Sequence, residues 1–318
     1  MLPLRQRCLL KWVPELQSRS MKNYDVIILG GGAAGLSAAT ALGRFRRRVL
    51  VIDDGTPRNA PADGVHNFLT RDGLDPHELQ RIGREQAEVY GVEFVHEPID
   101  SVEHGFTVNS RYTAGRLIVA TGGHDVLPDV EGLAARWGRD VIHCPYCHGW
   151  EVRDQTIGVL GTHARSGHIA LLFRQLSDDV TVFLDFDLPA EERALLAARG
   201  VRIIDGAVTS VDTVDDALAS VTLADGSTHP VTALAVASRV EARASFLAGI
   251  GLVPVEHPSG FATHIPVDAM GLTTVPGVYA AGNVTDPMAQ VITSASQGLM
   301  AAAALNADLV MAEARASL

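Results

Sequence analysis

Cys144 and Cys147 lie three residues apart in 142-IHCPYCHGWEV-152, with His143 before the pair and His148 after it. Three chemistries use this spacing: haem c attachment at Cys-x-x-Cys-His, half of a zinc site, and a dithiol that opens and closes as a disulfide. A structural zinc takes four ligands. The chain has no second cysteine pair, and each of the two histidines is a chain neighbour of a cysteine, which strains joint chelation. Haem c needs an extracytoplasmic setting. Lys11 breaks the apolar run in the first twenty residues and Pro14 ends it, so no signal core is expected there. A redox disulfide is the expected use. On one helical turn, positions i and i+3 share a side, and the Cys-x-x-Cys setting lowers one thiol's pKa. His148, of a residue type that titrates at about 6.5, is the candidate for moving the proton.

A second cluster is Gly30-x-Gly32-x-x-Gly35, with Ala33 and Ala34 inside it. One glycine allows the tight turn, one lets the backbone approach a pyrophosphate, and one lets helix pack on strand. The helix start that follows offers unpaired N–H groups to phosphate. Asp53, or Asp54 beside it, stands where a carboxylate accepts from an adenosine ribose. This pattern predicts dinucleotide binding. A dithiol beside one strong dinucleotide site suggests a flavin, which exchanges two electrons with a disulfide. In the loop after Asp54, Arg58, Asn59 and His66 are candidates for contact with cofactor or substrate, or plain turn residues.

The elements that carry these residues read as α/β. DVIIL (25–29) is a buried strand, the glycine turn opens an alanine-rich helix, and RRVLVID (47–53) is the next strand: a βαβ unit. An amphipathic helix is expected over 76–91. VEFVHE and FTVNS read as hairpin strands, and RLIVATG (116–122) as a buried strand. The pattern then restarts with strand 156–161, helix 163–177 and strand 179–185, a second βαβ unit. ALAVASRV (233–240) reads as that unit's last strand. GVYAAGNV (277–284) and a long alanine-rich helix from Ile292 are expected to return to the first unit. The turn of the second unit, Gly161-Thr-His163-Ala-Arg-Ser166, keeps only its first glycine. His163 is expected to intrude where pyrophosphate would approach. Asp185 and Asp187 follow the next strand where a 2′-phosphate would need arginines.

At 318 residues, with about 150 per domain, two domains are expected. The net charge of −11 and the 5% aromatic content give no footprint for nucleic acid. No apolar run is long enough to span a membrane. Three cysteines suit a cytoplasmic protein better than a secreted disulfide framework. Residues 1–20 are expected to form a disordered tail before Met21.

In order along the chain, GGGAAG, RLIVATGG, Cys-x-x-Cys, a second βαβ unit and TTVPGVYAAGNV resemble the low-molecular-weight thioredoxin reductase family of FAD-dependent disulfide oxidoreductases. The resemblance covers about Tyr24 to Leu309. It implies two Rossmann-like three-layer domains of the FAD/NAD(P)-binding, class II pyridine nucleotide-disulfide oxidoreductase type. A FAD domain would take residues 21–135 and 262–318, and a central NAD(P)H-type domain residues 136–261. Cys147 would face the flavin and Cys144 would exchange with substrate. Thr121, Gly122, Gly282, Asn283, Gln290 and Val291 would join the flavin site, although Asn283 stands where the family has Asp, and His148 where it has Asp. A homodimer is expected on the same ground. With its nucleotide turn eroded, the chain most resembles the dithiol oxidase branch acting on small metabolites such as holomycin and gliotoxin. There, electrons would run from a small-molecule dithiol to O2 and NAD(P)H use is doubtful. The alternatives are an NAD(P)H-dependent reductase with a thioredoxin-like protein partner, and a redox sensor on the same fold.

Overall fold

The computed structural model describes residues 21–318, so the expected tail at 1–20 lies outside the described residues. A seven-stranded sheet is centred on Lys22–Leu29 and Tyr112–Val119, which pair in parallel. Val49–Asp53 flanks the first strand and Glu93–His96 closes that edge. Beyond Tyr112–Val119 lie Thr107–Val108 and Val102–Glu103 along part of its length, and Val278–Ala280 along the rest. The central strands are apolar on both faces, as a sheet covered on both sides requires. Ile27, Leu29, Leu50, Ile52, Leu117 and Val119 fill one core. Their alternates Val26, Ile28, Val49, Val51 and Ile118 fill the other. Helices Ala33–Arg44 and Val291–Ala316 cover the second core, and small side chains let their backbones touch. A Cβ on Gly298 would lie 2.0 Å from the carbonyl oxygen of Ala34.

The expected pairing of VEFVHE with FTVNS is not what forms. Glu93–His96 pairs in parallel with Val49–Asp53, whereas Thr107–Val108 pairs antiparallel with Val102–Glu103 and Tyr112–Val119. Leu50 and Ile52 leave an edge beside a buried strand, and Glu93–His96 completes it after the helix Pro76–Glu88 has crossed over.

The second sheet has five parallel strands in the order Arg202–Asp205, Val180–Leu184, Ile157–Gly161, Ala233–Val236, Val141–Ile142. Its faces carry separate apolar cores. Two antiparallel connectors, Gly123–Val126 and Arg239–Ala242, lead out of the first sheet and back to it. The redox turn follows Val141–Ile142, so it springs from the second sheet beside these connectors.

Candidate active site

Each glycine of the first turn meets a distinct constraint. Gly30 has φ +102°, and a Cβ there would sit 2.5 Å from the Ala120 carbonyl oxygen. A Cβ on Gly35 would lie 1.9 Å from the Gly30 oxygen, so this glycine serves helix-on-strand contact. Gly32 differs: a Cβ would meet nothing within 4 Å, because the residue borders open space. Asp53 is pinned at the strand end by the N–H groups of Gly31 (2.8 Å) and Gly55 (3.2 Å).

That open space is a cavity of about 970 Å³. Gly30, Gly32, Ala33, Ala34 and Asp53 line it on one side, Thr121 and Gly122 on another, and Gly282, Asn283, Gln290 and Val291 on a third. Cys144, Cys147 and His148 line the same cavity, as do Arg58, Asn59 and His66. Of the expected site residues, Gly35 alone is off the wall, consistent with its packing role. Among the described residues, two helices of more than two turns begin on the wall without a side-chain cap, at Gly32 and at Gln290. Their first-turn N–H groups therefore face a space able to take a pyrophosphate. A cavity of this size with a bare glycine edge, an anchored carboxylate at Asp53 and two uncapped helix starts fits FAD. Asn283 spends its amide on the carbonyls of Asp286 and Ala289, which shapes the loop entering the second of these helices.

Cys144 precedes a single helical turn, Pro145–His148, and its carbonyl accepts from the N–H of Cys147 (3.1 Å) and of His148 (3.0 Å). Gly149 ends the turn where a Cβ would strike the Pro145 oxygen at 2.3 Å. Neither cysteine is bridged. The hydrogen bond from Cys147 draws the Cys144 thiol down to about 7, against its own burial; the backbone N–H groups of Cys147 and Tyr146 and the charge of Arg58 assist. The same bond holds Cys147 far above the ordinary thiol range, as do its burial and the negative charge of Cys144. One proton is in effect shared, and Cys144 is the thiolate. Burial pushes His148 below the usual imidazole range, with Glu151 and Asp63 pulling it partly back. It is therefore a neutral base near pH 7.

Sequence reading did not find the polar network behind the turn. Arg58 forks onto Asp125 at 2.7 Å through both Nε and Nη2, and its Nη1 reaches the Pro287 carbonyl. Ser238 donates to Asp125 at 2.6 Å and lies 3.3 Å from Nδ1 of His143. These residues belong to the loop, the outgoing connector, the residue just before the returning connector and the segment leading into the cysteine turn, with no common spacing to betray them. The loop is also tied directly: Asn67 Nδ2 donates to the Tyr146 carbonyl at 2.7 Å, between the two cysteines.

A smaller cavity of about 420 Å³ opens at the ends of Ile157–Gly161 and Val180–Leu184, lined by Gly161, Thr162 and Asp185 among others. His163 is not on its wall. The ring lies parallel to Phe261 at 6.5 Å, and its Nδ1 accepts from the Arg165 N–H. Ser166, in the position of the packing glycine, is buried and donates to the Leu160 carbonyl. The expected intrusion of His163 therefore does not occur. Among the described residues no cluster of three or more His, Cys, Asp or Glu is placed to hold a metal ion, and no helix is long and apolar enough to cross a membrane.

The family profile described as pyridine nucleotide-disulphide oxidoreductase matches residues 24–298. The chain is 33% identical over 314 residues to the thioredoxin reductase sirT of Leptosphaeria maculans, covering 89% of this chain and 93% of that protein. Among solved structures, HlmI is 42% identical with a TM-score of 0.86, covering 93% and 95% of the two chains. An oxidoreductase from Agrobacterium tumefaciens is 35% identical with a TM-score of 0.85, covering 92% and 99%. The expectation that NAD(P)H use is doubtful is corrected by these findings. The family is defined by a pyridine nucleotide together with a disulphide, its profile spans the second βαβ unit, and curated relatives are thioredoxin reductases. The doubt had rested on the eroded turn, with His163 and Ser166 in place of glycines, and on Asp185 and Asp187 where a basic pair would stand; the His163 ring lies off the cavity wall.

Proposed function

The chain belongs to the thioredoxin-reductase-like, FAD-dependent pyridine nucleotide-disulphide oxidoreductases, and from that premise we propose that it is an NAD(P)H-driven disulfide reductase. The observation that carries this reading is that Cys144, Cys147 and the glycine cradle share one cavity. On this reading residues 21–135 and 262–318 hold FAD, and 136–261 form the nicotinamide unit. Bound FAD supplies two-electron exchange between the nicotinamide and the cysteine pair. The glycine edge, Asp53 and the two helix starts bind and orient it.

With the pair reduced, the Cys144 thiolate attacks one sulfur of the substrate disulfide, and the other sulfur leaves as a thiolate. Cys147 then attacks Cys144 Sγ of the mixed disulfide, releasing the second substrate thiol and closing Cys144–Cys147. His148 takes the Cys147 proton in that step and passes it to a leaving thiolate. Two electrons pass from protein to substrate in each cycle, matched by one hydride from the nicotinamide.

The substrate we propose is the disulfide of a thioredoxin-like protein. Tyr146 and Trp150, exposed beside the pair, offer it an apolar rim. A homodimer is part of the same proposal, supported by exposed Leu299, Met300, Val310 and Met311 on the last helix. Oxidation of a small-molecule dithiol by O2 drew its support from an eroded nucleotide turn, and His163 lying off the wall weakens that support. The test is anaerobic addition of NADH or NADPH to the yellow protein. Flavin bleaching followed by reduction of a thioredoxin disulfide is expected. Bleaching by dithiols alone, with peroxide on re-aeration, would return the reading to the oxidase.

A further inference from the structure

We propose that Asp185 makes the nicotinamide site selective for NADH over NADPH. This rests on the nicotinamide reading above. Asp185 stands one residue past Val180–Leu184, and its N–H donates to the Gly161 carbonyl at 3.2 Å, so it is stitched to the nucleotide turn. It lines the 420 Å³ cavity at the ends of the first two strands of this βαβ unit. A carboxylate at this strand end accepts from a ribose 2′-hydroxyl, whereas a 2′-phosphate needs an arginine there. Among the described residues nothing hydrogen-bonds or ion-pairs with the Asp185 carboxylate, so it is available to accept.

Basic residues do not compensate. Among the described residues the cavity wall carries Asp129 and Asp185 and no Lys, Arg or His. Arg193 is committed to Asp205 at 2.6 Å and lies 3.9 Å from Asp187. Arg202 is paired with Asp179 at 2.5 Å. Arg165, in the turn itself, has no acidic partner among the described residues, but its guanidinium lies 4.0 Å over the Phe261 ring and beside Met288 Sδ. A 2′-phosphate would therefore enter a wall of like charge with no cation to receive it. The 2′-hydroxyl of NADH meets an acceptor at the same place.

Calorimetric titration of the oxidised holoprotein with NAD+ and NADP+, paired with anaerobic bleaching by NADH and NADPH, tests this. NAD+ is expected to bind at least about tenfold tighter than NADP+, because the 2′-phosphate would face like charge. In Asp185→Asn the preference is expected to shrink toward parity, through tighter NADP+ and weaker NAD+ binding. Asp187→Asn, off the cavity wall, is expected to keep it. Equal or tighter NADP+ binding in the wild type, or an Asp185→Asn ratio that does not move, overturns the inference while the reductase reading stands. Failure of both nicotinamides to bind and to bleach overturns the reductase reading and this inference together.

Discussion

Arg58 and Asp125 form a two-pronged ion pair, both contacts at 2.7 Å, which fastens the loop after the first βαβ unit to the outgoing connector. The Asp125 side chain is only 7% exposed. Burial pushes its carboxyl up, and Arg58, helped by Ser238, more than reverses this. Removing one partner leaves a buried charge uncompensated. Arg58→Gln should cost about 3 kcal/mol of stability, read from the urea midpoint. Arg58→Met with Asp125→Leu should recover part of the loss. Additive losses in the double variant would show that the two residues are not coupled.

Cys144 should alkylate as a thiolate of pKa about 7 in the reduced protein, its rate rising with pH through that value and then levelling. Cys147→Ala removes the hydrogen bond that is the largest cause of the lowering. Its midpoint should climb toward the ordinary thiol value of about 8.5. An unmoved midpoint would separate Cys147 from the activation of its neighbour.

His148 is held below the usual histidine range by burial, so it is protonated only in acid. A protonated ring cannot accept a proton, and turnover should fall as pH drops through that pKa. His148→Ala should lower turnover about a hundredfold and remove this acid limb. A variant that keeps the limb would assign it to another group.

Gly298 and Gly32 should fail in different ways. Gly298→Ala drives a methyl to within 2.0 Å of the Ala34 oxygen, so two helices must part. About 1–3 kcal/mol of stability should go, with flavin content following. Gly32→Ala meets no protein atom within 4 Å, so it should fold normally and lose FAD by narrowing the cavity edge. Thermal melts and the flavin-to-protein absorbance ratio distinguish the two. Full flavin content in Gly32→Ala would remove that edge from the cofactor site.

The legible parts of the site were those whose function is local in the chain. Gly30, Gly32, Gly35 and Asp53 lie within one strand–turn–helix–strand unit, and Cys144 and Cys147 on one turn, so spacing alone carries their geometry. Arg58, Asp125, His143 and Ser238 were not legible as a network. Arg58 and Asp125 are 67 positions apart, and Asp125 and Ser238 are 113 apart. The hairpin expected of VEFVHE failed for a related reason. An apolar alternating segment pairs with whichever edge is open, and the open edge belonged to Val49–Asp53.

The sequence by itself determined two nucleotide-type units, a cysteine pair on a helical turn and the acid at each second strand's end, because backbone sterics and short-range periodicity fix these within a few residues. Only the tertiary structure decided that the pair opens into the glycine-lined cavity, that Arg58 lies where its charge reaches the thiols, and that the His163 ring turns to Phe261 and leaves the second cavity clear. Those outcomes depend on which distant segments fold against one another, and side-chain direction there follows from packing that local spacing does not encode.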